Sequence, residues 1–195
     1  MKRFLILILA LLMLTACGQE AGGPEQTGTE AAASEETDAQ TEEETMALAP
    51  FSAQTLTGET VTEACFADAE LTVINVWATY CGPCKQEMPI LGQLDRELDN
   101  VQVLGIVTDV VDQNAEPDAA QVELAQELLA AAECEYPNLI LNQSLANLGF
   151  ASLSAVPATL FVDSEGYLVG QGFYGALDEE SWRSVIAERL ELTAP

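Results

Sequence analysis

The sequence predicts an α/β sandwich, a central mixed sheet flanked by helices, in one domain spanning residues 47–195. Three observations predict it. Leu71–Ala78 and Val101–Val107 are continuous apolar runs of strand length, the pattern of strands buried on both faces. Each is followed by a segment of helical periodicity, which implies parallel neighbours joined by a crossover. The chain then closes with a hairpin signal and a last amphipathic helix, which adds antiparallel strands to the same sheet.

The elements follow in order. Phe51 to Thr62 reads as a short hairpin turning at Thr57-Gly58-Glu59, an N-terminal addition to the sandwich. Leu71 to Ala78 is the central strand. Cys84 to Asp99 is a helix with Ile90, Leu91, Leu94 and Leu98 on one face, and Pro89 is expected to kink it. Val101 to Val107 is the second buried strand. Pro117 is expected at the first turn of a helix running to about Ala132. Tyr136 to Leu141 is a third strand and Ser144 to Leu148 a short helix. Ala158–Val162 and Tyr167–Phe173 form the hairpin around Asp163-Ser164-Glu165-Gly166. Asp178 caps the last helix, to about Leu192, with Trp182, Val185, Ile186, Arg189 and Leu190 on its inner side. There are no internal repeats.

Charge narrows the class of partner. Asp and Glu total 32 against 6 Lys and Arg, and no histidine is present. So acidic a chain is a poor match for nucleic acid or anionic phosphate ligands and favours basic partner surfaces.

The N-terminus reads as an address. Lys2 and Arg3 precede eleven apolar residues, Phe4 to Leu14, too few to span a bilayer and right for a signal-peptide core. The stretch ends Leu14-Thr15-Ala16-Cys17, which resembles the bacterial lipobox. That resemblance implies a signal peptide at 1–16 and a diacylglyceryl anchor on Cys17. Residues 18–46 hold nine acids, no Lys or Arg, and mostly Ala, Gly, Thr, Ser and Gln besides. Such a segment buries too little apolar area to offset its ordering entropy, and like charges extend it. With Cys17 it is expected to be a solvated tether, residues 17–46.

The chemistry lies in Cys81-Gly82-Pro83-Cys84. A strand running into C-x-x-C and then a helix places the first sulfur at a helix N-terminus, which favours thiolate over thiol. The second sulfur, one turn on, can close a reversible disulfide with it. Half a zinc site is the other reading of C-x-x-C. Zinc needs four ligands, and the chain offers no histidine and no second C-x-x-C, so no metal and no cofactor is expected. Cys81 is taken as the attacking nucleophile and Cys84 as the resolving thiol, with Gly82 and Pro83 holding the turn.

The string Trp77-Ala78-Thr79-Tyr80-Cys81-Gly82-Pro83-Cys84-Lys85 resembles the active site of the thioredoxin superfamily. Its continuation Gln86-Glu87-Met88-Pro89 resembles the TlpA/ResA-like branch of membrane-tethered thiol–disulfide oxidoreductases, a likeness covering about residues 48–192. The resemblance implies a thioredoxin-like sandwich, with an inserted helix and strand between Asp109 and Gln143. Trp77 and Tyr80 surround the site, and Trp77 either shields it or is plain core. Val156-Pro157-Ala158-Thr159 resembles the superfamily's cis-proline loop, which holds substrate strands beside the cysteines and gives Val156, Pro157 and Thr159 that role. Glu87 stands where the family has a glutamate that tunes the cysteines and relays a proton; the bland alternative is a solvated helix-face acid. Thioredoxins carry a buried aspartate six residues before the first cysteine. Here that position is Asn75, which cannot titrate. Cys65 and Cys134 are left over. In the implied fold both lie near the sheet end away from the active site, and a second disulfide and two separate thiols are equally open.

The reading is therefore a lipid-anchored, extracytoplasmic thiol–disulfide oxidoreductase that reduces disulfides of exported proteins. The family implies electrons from a CcdA/DsbD-type membrane thiol carrier. Three rivals stand beside it. A disulfide-forming oxidase on the same fold is compatible with Val156, while Gly82-Pro83 leans towards reduction. A peroxide-reducing enzyme would want a threonine three before the cysteine and a nearby arginine; Thr79 is two before, and the nearest arginine in sequence is Arg96. A metal chaperone would want a histidine.

Overall fold

The computed structural model describes residues 47–193. The expected signal peptide, Cys17 and the acidic tether lie outside the described residues.

The chain enters through a two-stranded antiparallel sheet, β1 (Ser52–Gln54) against β2 (Thr60–Thr62). Its turn is tied by Thr55, whose Oγ1 accepts from the N–H groups of Thr57 and Glu59. A 3-10 turn at Glu63–Asp68 then buries Phe66. The main sheet has five strands in the order β5-β4-β3-β6-β7. Central β3 (Leu71–Trp77) runs parallel to β4 (Val101–Val107) and antiparallel to β6 (Ala158–Asp163). β5 (Asn138–Ile140) extends the parallel side and β7 (Phe173–Tyr174) the antiparallel side. The sheet is mixed because the crossover helices α1 (Gly82–Glu97) and α2 (Ala119–Ala131) return the chain parallel, whereas β6 and β7 join by a hairpin-type connection. α3 (Gln143–Asn147) and α4 (Glu179–Thr193) complete the set.

Alternation along β3 sorts the core. Ile74 and Val76 face the N-terminal hairpin, Phe66 and the α3 segment with Leu145 and Phe150. Leu71 and Val73 face the helical side, under Leu91 and Leu94 of α1 and Trp182 and Ile186 of α4, and Trp77 lies on the same face against Met88 and the site cysteines. Asn75, fully buried, shares that second face and therefore looks at α1.

Two expectations are corrected. Pro117 does not begin α2: the carboxylate of Asp118 accepts from Ala120 and Gln121 N–H, so the helix starts after it, and Pro117 instead closes a bridge opposite Val111. The second arm of the C-terminal hairpin is broken. Leu168 makes one bridge to Val162, the chain leaves the sheet at Gly170–Gly172, and only Phe173–Tyr174 rejoins it. The detour makes room for Arg189, whose guanidinium donates to Gln171 O at 3.1 Å; a Cβ at Gly170 (φ +60) would stand 2.7 Å from Arg189 Nε. Of the two alternatives open for Cys65 and Cys134, the structure has separate free thiols, on opposite faces of the sheet. Cys65 packs with the Ile74 face and Cys134 with the helical face, where its thiol donates to Met88 O at 3.1 Å. A bond between them would have to pass through β3 and β4.

Gly105 in β4 makes room for a buried amide. The side chain of Asn138 lies against its Cα, accepts from Trp77 Nε1 at 2.8 Å and donates to Tyr136 O at 2.9 Å. A Cβ at 105 would overlap that amide. Gly105→Ala is expected to cost about 1–3 kcal/mol, read as a lowered midpoint in denaturant at unchanged slope.

Candidate active site

β3 delivers the chain to the carboxyl edge of the sheet, and the four residues before α1 are pinned from several sides. Trp77 O accepts from Thr108 N–H and Thr108 Oγ1. Asp109 clamps Thr79: the backbone N–H donates to both carboxylate oxygens, at 3.0 and 2.9 Å, and Thr79 Oγ1 donates to Oδ2 at 2.6 Å. Lys85 Nζ donates to Thr79 O at 3.3 Å, and Cys81 N–H to Ala78 O at 3.0 Å. Asp109 escaped the sequence reading. Its signal was its place, an acid just past a buried parallel strand, at the edge where open α/β sheets build sites.

Cys81 is the N-cap of α1, and Gly82 and Pro83 open the helix, where a proline costs no hydrogen bond. Cys81 and Cys84 form a disulfide, S–S 2.00 Å. The Cys84 N–H points at Cys81 Sγ, 3.1 Å away, a donor placed to stabilise negative charge on that sulfur. Cys81 retains 5% exposure and Cys84 none. Tyr80, beside them, is 75% exposed. Trp77 is fully buried in the cluster beneath both cysteines with its N–H spent on Asn138, so it is core under the site.

The Val156–Pro157 bond is cis. Val156 packs against the cluster that contains both cysteines, and Pro157 O accepts from Gly175 N–H at 2.9 Å. Two residues on, Thr159 stands opposite Asn75 in the β3–β6 register.

That register links the proline loop to Glu87. Asn75 Nδ2 donates to Glu87 Oε1 at 3.0 Å and reaches Thr159 Oγ1 at 3.5 Å. Leu177 N–H, just before α4, donates to Glu87 Oε2 at 3.3 Å. Glu87 is 1% exposed, and so is not a solvated helix-face acid. Burial pushes its carboxyl up from 4.5 to about 7. The hydrogen bonds from Asn75 and Leu177 oppose the rise, as does the Trp182 indole N–H, which acts at longer range without closing a hydrogen bond. Asn75 Oδ1 is buried without a partner. It is the acceptor that a protonated Glu87 needs, reached by turning the amide over.

Sequence-predicted residues thus meet in two linked groups. Cys81, Cys84 and Val156, which carries the cis bond to Pro157, form one, with Tyr80, Gly82 and Pro83 next to it in the chain. Glu87 and Thr159, joined through Asn75, form the other, one helical turn from Cys84. The arrangement holds two sulfurs joined in a disulfide, Cys81 the slightly more exposed, beside a buried acid whose carboxyl is pushed up to about 7.

Comparison with known proteins agrees with this geometry. A match to the AhpC/TSA family covers residues 46–171, well over half of the chain. The chain belongs to the AhpC/TSA family. Within this assignment its similarity is to thiol–disulfide proteins. It is 30% identical over 120 residues to a thiol:disulfide interchange protein DsbE of Pseudomonas fluorescens biotype C, covering 61% of this chain and 60% of that one. It is 39% identical over 59 residues to the thioredoxin-like protein YneN of Bacillus subtilis, 29% of this chain and 33% of the relative. The chain therefore spans less than two thirds of either curated relative. The fold is thioredoxin-like. A DsbF homologue from Corynebacterium diphtheriae superposes with TM-score 0.61 at 24% identity, over 75% of this chain and 88% of the other. The exposed lipoprotein thioredoxin Etrx1 of Streptococcus pneumoniae does so with TM-score 0.56 at 20% identity, over 72% and 99%.

Proposed function

We propose that this protein is a thiol–disulfide oxidoreductase that reduces disulfides of exported proteins while anchored by lipid outside the cytoplasm. The observation that carries the reading is the Cys81–Cys84 pair at the N-terminus of α1, one sulfur reachable and the other sealed. In the reductive direction the Cys81 thiolate attacks a substrate disulfide and releases one substrate thiolate. Cys84 then attacks Cys81, the second substrate thiol leaves, and the site is left oxidised. Two electrons pass to the substrate, and a membrane dithiol carrier of the CcdA/DsbD type restores them. The name of the DsbE relative supports the chemistry, and that of the pneumococcal lipoprotein neighbour supports the location.

Against peroxide reduction stands the placement of the arginines. Among the described residues Arg96 donates to Glu133 O, Arg183 pairs with Glu97 and Glu179, and Arg189 pairs with Glu188. None is offered to Cys81 to stabilise a departing hydroxide.

The direction is tested by the potential of the Cys81–Cys84 couple, measured by equilibration with dithiol buffers. A value near about −270 mV supports reduction, and one near about −120 mV transfers the reading to the oxidase. The anchor has its own test. Cys17→Ala is expected to release the full-length protein from membranes without changing its exchange activity, because two acyl chains on that residue supply the binding. Retention of the variant after a high-salt wash counts against the lipoprotein reading.

A further inference from the structure

Two exposed aromatic rings belong to the segments that carry the site. Tyr80, 75% exposed, immediately precedes Cys81. Tyr174, 54% exposed, ends the edge strand β7 opposite Ala158, and the next N–H, that of Gly175, is bonded to Pro157 O. Neither ring is needed for exchange between sulfurs, and neither is packed away.

The same end of the domain carries uncompensated carboxylates. The loop after β4 rests on the cysteine cluster through Val110 and Val111 and presents the exposed Asp112 and Glu116. The start of α4, tied to Glu87 through Leu177 N–H, presents Asp178 and Glu180. The backbone N–H groups of Glu116 and Asn114 hold the Asp112 carboxyl below the ordinary range, and the Ser181 side chain, with its N–H, does the same for Asp178. Lys85 is the one basic residue of the segment around the disulfide, and its ammonium is bound to Thr79 O. Among the described residues the ion pairs involve Arg183 and Arg189, and none reaches these carboxylates.

We propose that this face docks polypeptides whose disulfide is flanked by lysine or arginine. Tyrosine faces attract cations, and the carboxylates steer them and repel acidic segments. The proposal rests on the exchange reading of Cys81 and Cys84 and names the substrate class for that site.

The test uses the pre-reduced protein in single turnover against two peptides alike except for Lys or Glu beside their disulfide. Neutral 2-hydroxyethyl disulfide is the third substrate. Each peptide rate is divided by that of the same peptide with dithiothreitol, which removes the peptide's own reactivity. The Lys peptide is expected to react on the order of tenfold faster or more at low salt. The ratio should fall towards one at about 1 M salt, where the Debye length is about 3 Å. The double variant Glu116→Gln, Glu180→Gln should lower the ratio, and Tyr174→Ala should slow the Lys peptide. Equal rates, or a faster Glu peptide, with normal reaction of hydroxyethyl disulfide overturn the docking proposal alone. Failure to react with hydroxyethyl disulfide overturns the exchange reading beneath it.

Discussion

Cys81→Ser is expected to bring reduction of a model protein disulfide down to the uncatalysed background, while Cys84→Ser leaves a chain that captures its substrate. The difference follows from the two positions. Cys81 is the cap of α1, keeps a trace of solvent exposure, and receives the Cys84 N–H on its sulfur. It can reach a disulfide on another chain and hold negative charge when it attacks or leaves. Cys84 has no exposure and stands within bonding distance of Cys81, so its reach is to Cys81 alone. Without Cys81 no mixed disulfide forms. Without Cys84 the mixed disulfide forms and is not resolved, and it should appear on a non-reducing gel as a band that dithiothreitol removes. Iodoacetamide applied to the reduced wild-type protein near neutral pH should alkylate Cys81 first. Faster alkylation of Cys84, or a trapped adduct on the Cys81→Ser chain, would reverse the two roles.

How far this site could be read beforehand depended on whether its parts are local. The strand, the C-x-x-C and the following helix are contiguous, so periodicity and spacing were enough for β3 and α1. Asn75 was singled out for what it cannot do, but its partners come from register: only the β3–β6 pairing sets it opposite Thr159, and only the packing of α1 brings Glu87 onto its amide. Asp109 and Leu177 are contributed by segments far away in sequence, and no local pattern marks either. The errors have a similar origin. Pro117 carried a helix-start signal, but Asp118 beside it satisfies the first-turn N–H groups better. The β7 arm looked continuous because nothing near it announces Arg189, which arrives from α4 and needs the Gly170–Gly172 detour. For Cys65 and Cys134 the chain left a disulfide and separate thiols open, because which face of the sheet each occupies is a tertiary fact.

Glu87→Gln is expected to keep the fold, flatten one stretch of the stability–pH curve and slow exchange without abolishing it. The folded-state carboxyl titrates at about 7 against 4.5 unperturbed, so between those values the folded chain binds the proton that the unfolded chain has lost. Stability from this group is therefore full below about 4.5, falls as pH rises, and is gone above about 7. The difference in pKa corresponds to roughly 3 kcal/mol. Glutamine cannot ionise, so urea titrations of the variant should lack that decline. The variant should fold, because Leu177 N–H can donate to the new amide oxygen, and Asn75, turned over, offers its unpartnered Oδ1 to the new NH2. The cysteines respond in the opposite sense. A carboxylate one turn from Cys84 opposes thiolate formation once charged, so with glutamine the thiolate should form at lower pH. Turnover should nonetheless fall, because the group that gives up and takes back a proton near pH 7 is gone. Absorbance at 240 nm against pH reads the thiolate, and single-turnover exchange on the same samples reads the relay. Superimposable thiolate titrations and equal rates in the two proteins would leave Glu87 a buried structural acid with no part in exchange.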